Sequence, residues 1–386
     1  MIRRMDSRQA YLDYQATTPL DPSVLEAMLP YLGDNFGNPH SINHSFGWKA
    51  AGAVRAARGQ VAELIGADDQ EIVFASGATE SCNLAIRGTV KASGPYRNKI
   101  ITVATEHPAV LETVLDLGRT GYEAIVLPVD ARGVLDLVDL EGALDDRTVL
   151  VSVMAANNEI GVLHPLPEIA ALCRAQGALL HTDATQASGR IDIDVDRWGV
   201  DLLSLSAHKV YGPKGIGALY VRTGVPIEPT ATGGGQEHGL RPGTVAAPLA
   251  VGFGTACQLA WERWQEDAIR MSRLALHLRE SVQRDCPDVR FFGDFQNRLP
   301  GSLCMGFPGI TADEVIEIVS DRIAISTGSA CSSGTAEPSR VLVALGLDRE
   351  TASTGIRVSL GRFTTDDEVA IAAGALAKVG AIAATT

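Results

Sequence analysis

The chain has few cysteines, a deficit of positive charge and no long apolar run. Its 386 residues include six cysteines, and 33 Lys and Arg stand against 46 Asp and Glu, a net charge of −13. This balance argues against a non-specific binder of nucleic acid or of an anionic membrane. No apolar stretch approaches the ~18 residues of a membrane span, and the polar start contains no signal-peptide core. We therefore expect a cytoplasmic protein with no membrane partner and no direct nucleic-acid partner.

The cysteines show neither metal-ligand nor disulfide spacing. They occupy positions 82, 173, 257, 286, 304 and 331, with no C-x-x-C pair. We expect no metal site and reduced thiols. Five of the six lie in apolar patterns or beside a proline, which predicts small buried hydrophobic residues. Cys331 differs, because the small residues of STGSACSSGT (326–335) are typical of a linker or of a mobile arm that carries a reactive group.

Short apolar runs alternate with helical patterns between residues 71 and 222. The runs are nearly continuous in apolar character, as expected of strands buried on both faces. They are EIVFAS (71–76), IITVA (100–104), AIVLPV (124–129), VLVSVMA (149–155), ALLHTDA (178–184), DLLSLS (201–206) and GALYVR (217–222). The alternation predicts an α/β fold with a mostly parallel seven-stranded sheet and helices on both faces.

The pattern changes after residue 244. A long amphipathic helix is expected over about 246–285, followed by short strands and a closing helix from Asp366. Because the chain exceeds the usual size of one core, we expect two domains. We predict a large domain over 18–262 and a small α/β domain formed by 1–17 and 263–386, with a mobile loop at about 326–340.

Polar residues follow several of the predicted strands, at the edge where open α/β sheets bind ligands. Gly77 opens a predicted helix, so the amides of Ala78 and Thr79 could bind a phosphate. An ordinary Ser/Thr-capped helix is the alternative. His107 follows the next strand, where a structural histidine is the alternative.

Asp183 lies at the end of one further strand, and Lys209 follows another. A carboxylate at the end of an apolar strand needs a cation, a metal or a protonated heterocycle, unless it caps a turn. A partly desolvated lysine can form a Schiff base with an aldehyde, and Lys214 is the rival candidate. A phosphate cradle, a carboxylate, a lysine and a nearby histidine are together the groups that pyridoxal phosphate requires.

At this point the sequence resembles the cysteine desulfurases of the NifS/IscS type, in the class V aminotransferase family. Matching blocks run from residue 11 to 365 in the family's order, so the resemblance covers nearly the whole chain. They include YLDYQATTPLDPSV, EIVFASGATESCNLAIRG, EHPAVLET, NNEIGVL, HTDATQASGRIDIDV, SAHKVYGPKGIGALYVR, GGGQEHGLRPGT and STGSACSSGTAEPSRVLVALGL.

The resemblance implies fold type I of the pyridoxal phosphate enzymes and a homodimer. By matched position, Lys209 would bind the cofactor aldehyde, Asp183 the ring nitrogen and Gln186 the phenolic oxygen, with His107 stacked on the ring. The residues implied for the phosphate are Ala78, Thr79, Ser206 and His208, joined by Thr244 of the other subunit. Asn158 and Arg357 would hold the substrate carboxylate. Considered singly, these could be cap, turn or strand residues, and Arg357 could simply be paired with an Asp.

The implied reaction converts L-cysteine to L-alanine and leaves a persulfide on Cys331. Lys209 and His107 would move protons, and the Cys331 thiolate would attack the substrate sulfur. An acceptor protein would then take the sulfur for iron–sulfur clusters, thiolated tRNA or DNA phosphorothioation. A selenocysteine lyase or another class V enzyme is the enzymatic alternative, although neither elimination nor transamination needs such a thiol. A cofactor-free scaffold that binds a partner is the non-enzymatic alternative.

Overall fold

The computed structural model describes residues 9–328 and 337–383. Cys331 and most of the predicted loop at 326–340 therefore lie outside the described residues. Among those described, the strands are β1 Ala10–Tyr11, β2 Ile72–Ala75, β3 Lys99–Val103, β4 Glu123–Leu127, β5 Thr148–Ser152, β6 Leu179–Asp183, β7 Leu202–Ser206, β8 Gly217–Val221, β9 Arg290–Phe291, β10 Ser302–Gly306, β11 Ile323–Ala324, β12 Ser326–Thr327 and β13 Gly355–Ser359. The helices are α1 Pro22–Leu32, α2 Ser45–Ile65, α3 Ala78–Ala92, α4 Pro108–Arg119, α5 Leu137–Ala143, α6 Leu166–Ala175, α7 Val195–Trp198, α8 Ala247–Asp285, α9 Ala312–Val319, α10 Arg340–Ala344, α11 Arg349–Ser353 and α12 Asp366–Ala383.

The central sheet has seven strands in the order β2-β8-β7-β6-β5-β3-β4. Strand β8 runs antiparallel to β2 and to β7, and the remaining pairs are parallel. All seven coincide with the predicted apolar runs, so the predicted mostly parallel seven-stranded sheet is confirmed. The carboxyl ends of β2, β3, β5, β6 and β7 consequently lie at one edge of the sheet.

Helices cover both faces of this sheet. One core packs α1, α2, α6 and α8 against it, and a second core packs α3 and α4 against the opposite face. Burial on both faces explains why the strand sequences are nearly continuous in apolar residues. Within the described ranges, no helix is long and apolar enough to cross a membrane.

A smaller antiparallel sheet in the order β12-β13-β10-β9 has its own core. The helices α9, α12 and the second half of α8 pack on it. Strand β13 places Arg357 opposite Cys304 of β10 on one side and Ser326 of β12 on the other. This sheet thus contributes a cationic side chain from a buried strand.

Helix α8 has 39 residues and belongs to both cores. Ala247 to Ala260 pack in the large core, whereas Leu274 to Val282 pack in the small one. Between them, Asp267 accepts from Arg362 Nε at 2.8 Å, and Arg362 also lies 3.4 Å from Asp21 of the large-core side. The boundary predicted between residues 262 and 263 falls inside this helix and stays a prediction.

Candidate active site

A cavity of about 590 Å³ opens at the carboxyl edge of the central sheet. Residues that follow β2, β3, β5, β6 and β7 line it, together with Ala16 and Thr17 from the start of the chain. The predicted residues among them are Ala78, Thr79, His107, Asn158, Asp183, Gln186, Ser206, His208 and Lys209. Side chains from distant parts of the sequence therefore meet because the parallel strands all end here.

One end of this cavity is formed by the start of α3. Its N-cap is Gly77, and no side chain caps the helix, so the ordinary Ser/Thr-capped alternative is wrong. The amides of the first helical turn have no partner within the helix, and the helix dipole favours an anion there. A Cβ on Gly217 would lie 2.8 Å from Gly77 Cα, so this glycine lets β8 pass against the turn. The helix start is thus shaped to bind phosphate.

Ser206 and His208 extend this end of the cavity. Ser206 is buried at the end of β7, and His208 Nδ1 lies 3.1 Å from Thr17 Oγ1. Burial, followed by the charges of Lys209 and Lys214, lowers the pKa of His208 to about 4. His208 is therefore a neutral imidazole near neutral pH and would contribute a hydrogen bond rather than a charge.

Lys209 ends the 3-10 turn that follows β7, and its side chain is half-buried. Its Nζ donates to the carbonyl oxygens of Gln15 and of Ala16, the latter at 2.8 Å. Tyr211, two residues on, adopts a left-handed φ of 67°, where its amide donates to Thr18 Oγ1 at 2.9 Å. The rival Lys214 lines the same cavity but is exposed.

Asp183 is the last residue of β6, and Gln186 lies in the turn that follows. Asp183 is 7% exposed, and its Oδ1 accepts from the amide of Thr185 at 2.9 Å. Gln186 Nε2 donates to Gln15 O at 3.0 Å, while Gln186 Oε1 and Thr185 Oγ1 are buried with no partner in the described structure. Buried polar atoms are normally satisfied, so these two indicate a missing partner.

His107 caps α4 and lies in the walls of two adjacent cavities. Its Nδ1 accepts from the amide of Ala109 at 3.1 Å, which assigns the proton of the neutral ring to Nε2. Burial lowers the pKa of His107, with Lys209 and Arg340 acting in the same direction and Asp183 against them. The ring is therefore neutral near neutral pH and presents an N–H donor at Nε2.

A second cavity, of about 550 Å³, adjoins the first. The two share five lining residues, namely Ala16, His107, Asn158, Gln186 and Lys209. The second cavity adds Arg340, Arg357 and the buried Glu159, and it reaches Glu337 and Pro338. A molecule in it would contact both the lysine side and the arginine side of the site.

Arg357 is held by several partners although its side chain is only 2% exposed. Its Nη2 lies 2.8 Å from Asp13 Oδ1, and its Nη1 donates to Asn158 O at 2.9 Å. Arg357 Nε is buried without a partner in the described part of the chain. The alternative of a strand arginine paired with an Asp is thus observed, and the free Nε leaves a donor beside the cavity.

Several residues at the site were not predicted from the sequence. The carbonyls of Gln15 and Ala16 bind Lys209, Thr185 contributes a buried hydroxyl, and Glu106 and Glu159 line the second cavity. Burial, followed by the charge of Asp183, raises the pKa of Glu106 well above its usual range. The blocks YLDYQATT and NNEIG contain three of these residues, but nothing in their local pattern indicates long-range contacts.

One predicted residue among those described lies elsewhere. Thr244 is exposed and does not line either cavity of its own chain. Cys331 lies outside the described residues. The other five cysteines are buried and form no disulfide with one another, as predicted.

The comparisons with known proteins identify the family. Residues 10–371 match the family model described as aminotransferase class-V. The cysteine desulfurase IscS of Rickettsia bellii is 49% identical over 361 residues, which cover 93% of this chain and 88% of that protein. The chain belongs to the cysteine desulfurases of the class-V aminotransferase family.

Solved structures agree with this assignment. A NifS-like protein superposes with a TM-score of 0.91 at 36% identity, covering 97% of this chain and all of that one. SspA, solved in complex with cysteine, has a TM-score of 0.80 at 37% identity and covers 92% of this chain and all of that one. The predicted fold type I and the pyridoxal phosphate dependence are therefore confirmed.

The residues of the first cavity fit pyridoxal phosphate. The uncapped start of α3 suits the phosphate, and Asp183 suits a protonated ring nitrogen. The buried polar atoms Thr185 Oγ1 and Gln186 Oε1 have no partner among the described residues, and Lys209 lines the same cavity. Each chemical feature of the cofactor thus has a matching group.

Proposed function

We propose that this desulfurase converts L-cysteine to L-alanine and transfers the sulfur atom to Cys331. The observation that carries the proposal is the junction of the two cavities, in which Lys209 and His107 face the same space as Arg357. The second cavity also reaches Glu337, at the first described position after the segment that contains Cys331. That a relative 37% identical was solved in complex with cysteine supports the choice of substrate.

Each residue would have a defined role. Bound pyridoxal phosphate supplies an electron sink next to the substrate's Cα. Asp183 would keep a proton on the ring nitrogen. Lys209 Nζ would remove the α-proton of the substrate. His107 would be the second proton carrier of the site. Arg357, with Asn158, would bind the substrate carboxylate, a task suited to a guanidinium.

The sulfur transfer balances without another reactant. The Cys331 thiolate forms an S–S bond with the substrate sulfur as the substrate's C–S bond breaks. The transferred sulfur is oxidised to the sulfane level, while the substrate carbon is reduced and takes up a proton. The products are L-alanine and one persulfide, and the thiolate form of Cys331 is required because a thiol is a poor nucleophile.

Substitution of Cys331 tests this proposal. We expect Cys331→Ala to bind cofactor and L-cysteine normally but to form neither alanine nor sulfide at a significant rate. Mass spectrometry of the wild-type protein after L-cysteine should show one added sulfur atom on the peptide that contains Cys331. Alanine and sulfide production at the wild-type rate by the variant would contradict the proposal.

We further propose that the active unit is a homodimer whose partner subunit completes the phosphate end. An apolar surface at residues 29–48 is exposed, including Phe36 at 72%, Ile42 at 78% and Trp48 at 61%. A cavity lined by Pro39, His40, Gly235 and Glu237 connects this surface to the loop before Thr244. An apolar surface of this kind favours a protein interface. Thr244 adjoins Val245, which lines the connecting cavity, and does not line the cofactor cavity of its own chain.

Mixed dimers test the partner's contribution. Lys209→Ala and Thr244→Ala variants should each be impaired alone. After subunit exchange, the Lys209→Ala subunit supplies an intact Thr244 to a site that has an intact Lys209, so activity should return. Exchange with the Lys209→Ala, Thr244→Ala double variant is the control and should restore nothing. If activity does not return in the first mixture, Thr244 acts in its own subunit.

A sulfur-acceptor protein would finally take the persulfide from Cys331. This step follows from the reaction, because the enzyme must lose the extra sulfur before it can turn over again. Transfer of labelled sulfur from Cys331 to a co-purified protein would identify the acceptor.

A further inference from the structure

The carboxylate of Glu159 lies between the two flanks of the segment that contains Cys331. Glu159 Oε2 accepts from Ser339 Oγ at 2.5 Å. On the other flank, Gly328 passes so close that a Cβ there would lie 2.5 Å from the same oxygen. Gly328 is the last described residue before 329–336, and Ser339 is the third after it. One buried side chain thus contacts both flanks.

Each flank is also anchored in its own element. Thr327 pairs with Ile356 in the small sheet, and the Gly328 amide donates to Gly355 O at 3.4 Å. Ser339 is the N-cap of α10, where its hydroxyl accepts from the amide of Leu342 at 3.2 Å. The hydroxyl therefore accepts from the helix while it donates to Glu159. The carboxylate joins the end of β12 to the start of α10.

Glu159 is itself held firmly. It is 5% exposed, and its amide donates to Asn157 Oδ1 at 2.8 Å. Burial raises the pKa of Glu159, whereas the hydrogen bond from Ser339 and the charges of Arg357 and Arg340 act against that rise. Burying a carboxyl group in a substrate cavity is unfavourable unless its partners compensate. Its position against both flanks indicates a role beyond general packing.

We propose that Glu159 is a positioning residue that fixes the span between Gly328 and Ser339. The inference rests on the proposed function, in which Cys331 must reach the sulfur of bound L-cysteine. Fixing both ends of a short segment limits the volume that a group on it explores. The effective concentration of the thiol at the substrate sulfur rises accordingly. Glu159 contributes to sulfur transfer through the segment and does not itself bind the reacting atoms.

The test is a double-mutant cycle on the cofactor-loaded protein. Glu159→Ala and Ser339→Ala should each slow single-turnover formation of the Cys331 persulfide by roughly 10-fold, since each removes the same contact. The KM for L-cysteine should change by less than about 3-fold, and the double variant should be no slower than either single variant. Glu159→Gln keeps an accepting oxygen and should be close to the wild type.

A second measurement does not depend on turnover. Because the other five cysteines are buried, iodoacetamide should alkylate the folded protein at Cys331. The alkylation rate should change by at least about 3-fold in Glu159→Ala and Ser339→Ala, and by the same factor in the double variant. Asp348→Ala removes the N-cap of the neighbouring helix α11, outside both cavities, and is the control for simple loss of a cap.

The outcomes separate this inference from the proposed function. If Cys331→Ala is inactive but persulfide formation and alkylation stay at wild-type rates in both single variants, Glu159 does not position the segment. If the effects of the two single variants add in the double variant, the two residues act independently and their shared contact does not position the segment. If Cys331→Ala retains activity, the sulfur-transfer function itself is wrong. Should Glu159→Ala fail to fold, Ser339→Ala, which loses the contact, is compared with Glu159→Gln, which keeps it.

Discussion

The two adjoining cavities are built in different ways. In the first, polar side chains stand at the ends of several parallel strands, and Thr185 Oγ1 and Gln186 Oε1 have no partner in the described structure. In the second, Asp13 accepts from Arg357 at 2.8 Å and from Ser326 Oγ at 3.0 Å, and Glu159 accepts from Ser339. Arg357 Nε and Glu106 Oε2 also have no partner among the described residues. The cofactor side therefore gathers its groups from several strand ends, whereas the substrate side holds its main charged groups by contacts between distant parts of the chain.

This difference has an energetic consequence. Groups without partners gain their hydrogen bonds only when a ligand arrives, so they favour tight binding of a resident cofactor. Groups in a network are already oriented, which lowers the cost of aligning a substrate that must bind and leave at every turnover. A single substitution at the cofactor side should accordingly impair only the step that its side chain serves. At the substrate side it should also disturb the neighbouring side chains to which it is hydrogen-bonded.

The largest effect should come from the cofactor side. Lys209→Ala removes the amine that would bind the cofactor and move the α-proton, so we expect at least a roughly 1,000-fold loss of activity. Borohydride should no longer attach the cofactor to the protein. Lys214→Ala is the matched control, because Lys214 lines the same cavity but is exposed, and it should stay within about 10-fold of the wild type. The reverse result would assign the attachment to Lys214.

Substitution of Arg357 should have an intermediate effect and should reveal the network. Lys cannot reproduce the fork that serves Asp13, Asn158 O and a substrate carboxylate together, so we expect Arg357→Lys to raise the KM for L-cysteine by about 10- to 100-fold. Asp13→Asn leaves the guanidinium in place but weakens its orientation, and a rise of up to about 10-fold is expected. An unchanged KM in Arg357→Lys would show that the substrate carboxylate binds elsewhere.

The smallest effect is expected from His164, which lines neither the cofactor cavity nor the substrate cavity. His164 is 7% exposed, neither ring nitrogen has a partner among the described residues, and burial lowers its pKa to about 4. Between about pH 6.5 and pH 4 the unfolded chain therefore binds more protons than the folded one, so stability falls as the pH is lowered. His164→Leu should reduce that loss by roughly 2 kcal/mol at about pH 5 and change little at about pH 8.

His181 provides the control for that prediction. Its pKa is likewise lowered to about 4 by burial, but its ring nitrogens lie 2.8 Å from Ser152 Oγ and 2.9 Å from Ser204 Oγ. His181→Leu would leave two buried hydroxyls without that partner and should destabilise the protein at both pH values. Thermal unfolding at the two pH values measures both variants. Equal acid sensitivity of His164→Leu and the wild type would contradict the assigned titration.

The cofactor side could be predicted from the sequence to a large extent. Asp183 and Ser206 lie at the ends of apolar runs and Lys209 follows one, and the topology of parallel strands brings such positions to one edge. The substrate side could not be predicted in the same way. The contacts of Asp13 with Arg357 and of Glu159 with Ser339 join residues far apart in sequence, and no local periodicity encodes them. The family resemblance indicated Arg357 by position but not the partners that hold it.

Helix α8 also limits how the molecule can be divided. At about 1.5 Å per residue its 39 residues form a rod roughly 58 Å long, whose two halves are buried in different cores. A cut near residue 262 would leave each fragment with half of this rod and would expose the apolar stripe that the other half of the molecule covers. The large and the small core should therefore unfold together. Swapping small domains between relatives should succeed only when the entire helix is exchanged with its buried contacts.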